Sequence, residues 1–288
     1  MRAGYMPAVG VAEFRDDMPE PQIEKADDVK IRVRNCGICG SEVHAYHGLH
    51  PFRIPPIVSG HELSGEVVEV GSGVTKFRVG DRVTAEPHYG CGECWYCKHG
   101  LYNVCPNKKV LGSFDWSGAL GEYVVVPEKT VMRLPEKLTY EEGALIEPIA
   151  NGMYAVRNSK IDAETNIVVI GCGPIGIGDY LCAKLYGPKN ILMVDVSDFN
   201  LEKARDMGAT LTCNSRRENL YDRVMELTDG VGADIVFLGF GDAPTIQQAV
   251  EICRRGGQLV QHALMEDGIA FPYRVHQQHE LDFKAYNM

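Results

Sequence analysis

Asn166-Ile-Val-Val-Ile170-Gly171-Cys-Gly173-Pro-Ile-Gly176 decides the fold of the second half of this chain. The apolar run 166–170 reads as a short buried strand, and a helix to about Tyr186 is predicted directly after the glycines. Ile191-Leu-Met-Val-Asp195 reads as the next strand, with an acid at its end, 19 residues past Gly176. A lone Gly-x-Gly-x-x-Gly says little. One set between a strand and a helix, with an acid at that distance, is the dinucleotide-binding pattern. Gly171, Gly173, Pro174, Ile175 and Gly176 allow a tight turn and bring a pyrophosphate to the free N–H groups of a helix start. Asp195 is placed to bind the adenosine ribose hydroxyls. It would repel a 2′-phosphate, and residues 196–200 hold no Arg or Lys, so NAD is expected over NADP. The competing reading, that the glycines serve only a strand–helix turn, leaves Asp195 unexplained.

Further strands are expected at Ile235–Leu238 and Gly257–Gln261. A helix over 244–254 is expected between them, stopped by Arg254-Arg-Gly-Gly257. Alternating strands and helices give an α/β doubly wound cofactor domain over 146–288. Gly178-Asp179 sits badly in it. Glycine there costs up to about 1 kcal/mol in helix propensity, and a charge near the pyrophosphate end weakens cofactor binding, with no compensating feature in sight.

Residues 1–145 differ in texture. Val29-Lys-Ile-Arg-Val-Arg34 alternates apolar and charged residues, and Gly65-Glu-Val-Val-Glu-Val-Gly71 is a second strand; residues 112–126 also have strand character. Short strands broken by Gly and Pro suggest a small β-barrel. Two cysteine-bearing stretches lie in it. Cys36-Gly-Ile-Cys39-Gly-Ser41-Glu42-Val-His44, followed by Gly60-His61-Glu62, brings thiolate, imidazole and carboxylate into one short segment. These are the donors of a catalytic zinc, which keeps one position open. Ser41 and His44 are spaced to act as proton carriers beside that position. A Cys-x-x-Cys redox pair is the competing reading and lacks its βαβ context. Cys91-Gly-Glu-Cys94-Trp-Tyr-Cys97, with Cys105 eight residues on, offers four thiolates to one closed, structural zinc. A four-iron cluster uses four thiolates too, at a different spacing, and disulfides are the remaining alternative.

Together these motifs resemble the medium-chain zinc alcohol dehydrogenases, in the polyol (sorbitol-like) and threonine dehydrogenase branch. The resemblance covers the whole chain. It implies a GroES-like β-barrel followed by the cofactor domain, with Cys39 rather than Cys36 as the zinc ligand, together with His61. It also implies a zinc in the four-cysteine lobe. Glu147, in Ala144-Leu-Ile-Glu147-Pro148, is implied as third ligand or near neighbour, with Glu62 competing for the role. Glu42 stands where relatives carry Asp to orient the zinc histidine. Phe114, Trp116 and Tyr46 are candidate pocket walls, with plain core as the alternative. The implied activity is hydride transfer from a polyol or other secondary alcohol to NAD. Threonine dehydrogenase and a non-catalytic zinc-stabilised NAD-binding protein are the alternatives. A homo-oligomer, dimer or tetramer, is implied as well. Relatives continue past the segment resembling Leu281–Tyr286, complete the sixth strand and add roughly 60 residues, so these 288 residues are expected to be an incomplete version.

Composition agrees. Hydrophobic residues make up 45% and charged residues 24%, ordinary for a globular chain. The net charge is 29 − 39 = −10, with no dense basic run, which argues against nucleic acid or an anionic membrane as partner. No apolar run reaches spanning length. Cys36, Cys172, Cys182, Cys213 and Cys253 read as reduced core side chains, so a cytoplasmic location is expected.

Overall fold

The computed structural model describes residues 1–239, 241–262 and 268–286. The chain divides into two compact units between Glu147 and Pro148.

The first unit carries strands β1 (Ala3–Ala8), β2 (Val11–Arg15), β3 (Asp28–Gly37), β4 (Ile57–Val58), β5 (Glu62–Val70), β6 (Arg82–Ala85), β7 (His88–Tyr89), β8 (Lys109–Val110), β9 (Tyr123–Pro127) and β10 (Val131–Arg133). Helices α1 (Gly40–Tyr46), α2 (Trp95–Lys98) and α3 (Tyr140–Ala144) lie between them or follow. A five-stranded sheet runs β10-β6-β5-β3-β9, a three-stranded one β2-β1-β4, and β7 pairs with β8. Val29, Ile31, Leu63, Val67, Val83, Leu111, Val124 and Val126 fill the core. The alternation in β3 breaks at Lys30, which is buried yet satisfied by Glu20 at 2.6 Å. Irregular pairing of β3 with β5 after Lys30 and again after Val33 brings Gly37 opposite Glu62, which matters for the site below. Strand character over 112–126 is realised only from Tyr123. Before it the chain turns on itself, with Gly112 and Ser113 both donating to the Trp116 carbonyl.

The second unit is built on β11 (Asn166–Ile170), β12 (Asn190–Asp195), β13 (Leu211–Asn214), β14 (Ala233–Leu238), β15 (Cys253–Gln261) and β16 (Asp282–Ala285). Helix α4 (Ile146–Arg157) leads in, and α5 (Pro174–Lys184), α6 (Asp198–Asp206), α7 (Leu220–Leu227), α8 (Ala243–Ile252) and α9 (Tyr273–Gln278) follow in turn. All strands are parallel, in order β13-β12-β11-β14-β15-β16. This is the doubly wound order, and its sixth position is occupied by β16, within the present chain. A parallel sheet is covered on both faces. Val168, Leu192, Val236 and Leu259 point to one core, and Ile167, Val169, Ile235 and Phe237 to the other. Side-chain caps start the outer helices: Ser197 on α6, Asn219 on α7 and Asp242 on α8.

Helix α8 ends two residues earlier than the sequence suggests. Cys253 is already extended, and Arg254–Gly257 bulge opposite Asp234, since Ala233 pairs with Cys253 and Ile235 with Gln258. The Arg254–Asp234 ion pair at 2.5 Å holds that bulge, so the glycines serve it rather than a helix stop.

Candidate metal and cofactor sites

Three segments of the first unit converge. Cys39 is the N-cap of α1, His61 immediately precedes β5, and Glu147 lies in the first turn of α4. Ligand atoms of Cys39, Glu42 and His61 lie within 4.8 Å of one another, and so do those of His61, Glu62 and Glu147. His61 is common to both sets. Glu62 and Glu147, between which the sequence could not choose, both reach the imidazole. Two glycines make room. A Cβ at Gly37 would fall 2.0 Å from Glu62 Oε2, and Gly60 holds φ +93 with Cys36 Sγ 2.9 Å from where a Cβ would be. Cys36 itself turns away, its thiol on the Gly37 carbonyl and pushed up to about 12 by burial. No redox pairing is formed, since both cysteines are free.

Glu42 holds this arrangement in place. Its Oε2 accepts from the Cys39 N–H at 2.9 Å, closing a capping box. Its Oε1 accepts from Ser59 Oγ at 2.9 Å and lies 3.1 Å from His61 Nδ1. Arg53, 4% exposed, stands 3.7 Å away and donates to the Leu111 and Gly112 carbonyls. Burial pushes the Glu42 carboxyl up, but its bond to His61 and the nearby charges outweigh this and hold it down at about 2. Burial likewise lowers His61, and bonds to Cys39 and Glu42 outweigh that, raising the ring to about 10. A ring with Nδ1 fixed on a carboxylate presents Nε2 to a cation. Thiol, imidazole and carboxylate donors at this separation fit a zinc ion. Ser41 Oγ is buried without a hydrogen-bond partner among the described residues. His44 lies half-buried on the same helix.

Arg53, Ser59 and His50 were not singled out by sequence. His50 Nδ1 accepts from the Arg53 N–H at 3.1 Å, and burial, then Arg53, lowers its ring to about 4. A lone Arg among Pro, Phe and Ile in Pro51-Phe-Arg53-Ile-Pro was the available signal. The proposed pocket walls fare differently. Phe114 is 74% exposed, while Trp116 packs on the barrel core and Tyr46 on Met6, Ala45 and Ile57. Both packed rings follow the plain-core reading.

The second cluster unites Cys91, Cys94, Cys97 and Cys105. Cys105 Sγ lies 3.6 Å from both Cys91 Sγ and Cys94 Sγ. Tetrahedral thiolates around one zinc, at about 2.3 Å each, sit about 3.8 Å apart. The spacing therefore fits a single ion, and the four cysteines are free rather than paired in disulfides. A four-iron cube binds each thiolate to a different corner and needs wider separation. The Glu93 and Cys94 N–H groups pull the Cys91 thiol down to about 6, favouring the thiolate.

In the second unit the glycine turn behaves as its pattern requires. Gly171 holds φ +98, and a Cβ at Gly176 would lie 1.8 Å from the Gly171 carbonyl. Gly173 caps α5 with no side-chain acceptor, leaving the helix N–H groups for an anion. Asp195 Oδ2 accepts from the Cys172 N–H at 2.8 Å, and Oδ1 from Ser197, so the acid also braces the turn. Asp179 is fully buried and bonded to His262, 83 residues away, which supplies the compensation that local sequence lacked.

Residues 25–136 match the family of alcohol dehydrogenase GroES-like domains, and 174–288 match the zinc-binding dehydrogenases. The chain is 36% identical to a sorbitol dehydrogenase of Bacillus subtilis, the match covering 85% of this chain and 70% of that protein. It is 36% identical to D-xylulose reductase A of Aspergillus niger, over 94% of this chain and 77% of that one. Among solved structures, 2R,3R-butanediol dehydrogenase from Bacillus subtilis superposes with a TM-score of 0.88 at 34% identity, covering 99% of this chain and 83% of that one.

Two outcomes test the geometry. Cys94→Ser should lower the melting temperature by roughly 10 °C and remove the metal of the four-cysteine lobe, leaving the other cluster loaded; an unchanged melt and metal count refutes a closed site. Glu42→Gln should weaken zinc at the His61 cluster by about 10–100-fold in a chelator competition; unaltered affinity means that the carboxylate does not orient the ring.

Proposed function

The chain belongs to the zinc-dependent alcohol dehydrogenase family, in the group that holds polyol dehydrogenases, and on that premise we propose that it oxidises a secondary hydroxyl of a polyol or vicinal diol with NAD as hydride acceptor. The observation that carries this reading is the meeting of Cys39, His61, Glu62 and Glu147 beside a buried Ser41 hydroxyl without a hydrogen-bond partner among the described residues. Cys39 and His61 would hold a catalytic zinc, with Glu62 and Glu147 sharing the carboxylate role. Zinc supplies acidification of a hydroxyl towards neutral pH. Cys91, Cys94, Cys97 and Cys105 would hold a second, purely structural zinc.

The protein's own groups do the rest. Glu42, anchored by Ser59 and Arg53, fixes the tautomer and direction of His61. Ser41 Oγ, free to donate and accept, takes the proton from the substrate hydroxyl, and His44 one helical turn on carries it outward. Gly171, Gly173, Pro174, Ile175 and Gly176 cradle the pyrophosphate, and Asp195 binds the ribose hydroxyls. Sorbitol, xylulose and butanediol appear in the names of the relatives, and each couples its reacting carbon to an oxygen-bearing neighbour; a 1,2-dioxygenated substrate is the shared chemistry. A small-molecule substrate and a homo-oligomer in the cytoplasm complete the proposal. Ten free thiols support a reducing compartment, and no helix among the described residues is long and apolar enough to cross a membrane.

The test is NADH formation by the purified, zinc-loaded chain on a panel of sorbitol, xylitol, 2,3-butanediol and threonine. Turnover on the polyols or the diol is expected; threonine alone as substrate would move the protein to the amino-acid branch, and silence on all four would defeat the proposal. His61→Ala should abolish turnover while the four-cysteine lobe keeps its metal. Asp195→Ser should weaken NAD by about tenfold or more and narrow its advantage over NADP. A parent protein that prefers NADP in a titration would overturn the ribose assignment.

A further inference from the structure

Asp179 lies in the second turn of α5, the helix whose first residue, Pro174, ends the glycine turn. Its side chain is 0% exposed, and its Oδ2 is 2.8 Å from Nε2 of His262, itself 5% exposed. Asp179 Oδ1 and His262 Nδ1 have no hydrogen-bond partner among the described residues. A charged group so placed persists only when paired. The pair is also tightly enclosed. A Cβ at Gly152 of α4 would fall 2.6 Å from the Gly178 carbonyl carbon and 2.8 Å from the Asp179 nitrogen, so the two helix backbones touch beside the carboxylate. From α4 the backbone of Pro148, Ile149 and Gly152 approaches Gly178 and Asp179. From α5 itself Cys182 faces the carboxylate, its thiol pushed up to about 11 by burial and then by Asp179. From the sheet comes His262.

The position of His262 gives the pair its meaning. It follows Gln261, which pairs with Leu238 of β14 and Ala285 of β16 at the carboxyl end of the sheet. Ligands of open parallel sheets bind in the crevice outside that end. One member of the pair thus stands on the helix that starts the anion cradle, and the other on the strand end that borders the same crevice.

We propose that Asp179 and His262 are positioning residues, a buried latch that fixes the carboxyl end of β15 against the cofactor helix and so sets the affinity of the crevice for the dinucleotide. The inference rests on the NAD reading above. Burial raises the Asp179 carboxyl above its ordinary range, with His262 opposing. A raised folded value means that its contribution to stability is present at low pH and is lost as pH rises through that value. The hydrogen-bonded pair keeps the latch closed. Breaking it leaves a buried polar group uncompensated, and nucleotide affinity falls.

The experiment uses the full chain and measures NAD dissociation constants and melting temperatures at one neutral pH. Asp179→Leu and His262→Leu should each weaken NAD by about tenfold, since removing one partner strands the other. His262→Gln, which keeps a donor for the carboxylate, should recover most of that loss. The double change Asp179→Leu with His262→Leu guards against unfolding, because apolar pairs replace buried ion pairs well. It should melt at or above the parent yet bind NAD about tenfold more weakly. If the double variant keeps the parent's affinity, the latch is refuted. A parent that binds no nucleotide refutes the NAD reading instead. The latch is then judged by melting alone: a lower melting temperature in His262→Leu that His262→Gln recovers supports it, and equal melting in the parent and both variants overturns it.

Discussion

A carboxylate taken out of water survives as an anion only where donors surround it, and Glu42 is the point in the first unit where that requirement is met most fully. Backbone N–H of Cys39, hydroxyl of Ser59, imidazole of His61 and guanidinium of Arg53 all converge on it. They come from three separate stretches of chain. One side chain therefore ties the start of α1, the turn before β5 and the segment around Arg53 to a common centre. The thiol and the imidazole at the candidate metal centre inherit their positions from this charge.

The sequence carried much of this and missed the rest for identifiable reasons. Chemistry written in short spacing was legible: the four cysteines, the glycine turn with Asp195, and the Cys39 and His61 segment. Apolar alternation located β3 and β5, and short apolar runs located β11, β12, β14 and β15; the edge strands β13 and β16 were not expected. What escaped was long-range pairing. Nothing near Arg53 says that it will sit against Glu42, and nothing near Asp179 points 83 residues ahead to His262. The early end of α8 had a different cause. Arg254-Arg-Gly-Gly257 reads as a helix stop by local rules, but strand pairing with β14 claims Cys253 first and leaves those residues to bulge.

Aromatic residues taught the same lesson from the other side. Trp116 and Tyr46 lie in segments with the right address for a pocket, yet each packs its ring partly against a hydrophobic core. Trp116 also spends its only donor on the Val125 carbonyl, so it holds the turn before β9 closed. With its indole N–H so used, Trp116 has no side-chain donor left for a ligand.

The bare start of α5 has one more consequence. With glycine at the cap position and no side-chain cap, the amide groups there are left to water or an outside anion. Such a cradle does not distinguish a dinucleotide's bridge from other compact oxyanions except by the rest of the molecule attached to it. Inorganic phosphate or sulfate in a buffer becomes a competitor for the same amides. Apparent cofactor affinity then depends on the choice of assay salt as much as on its ionic strength.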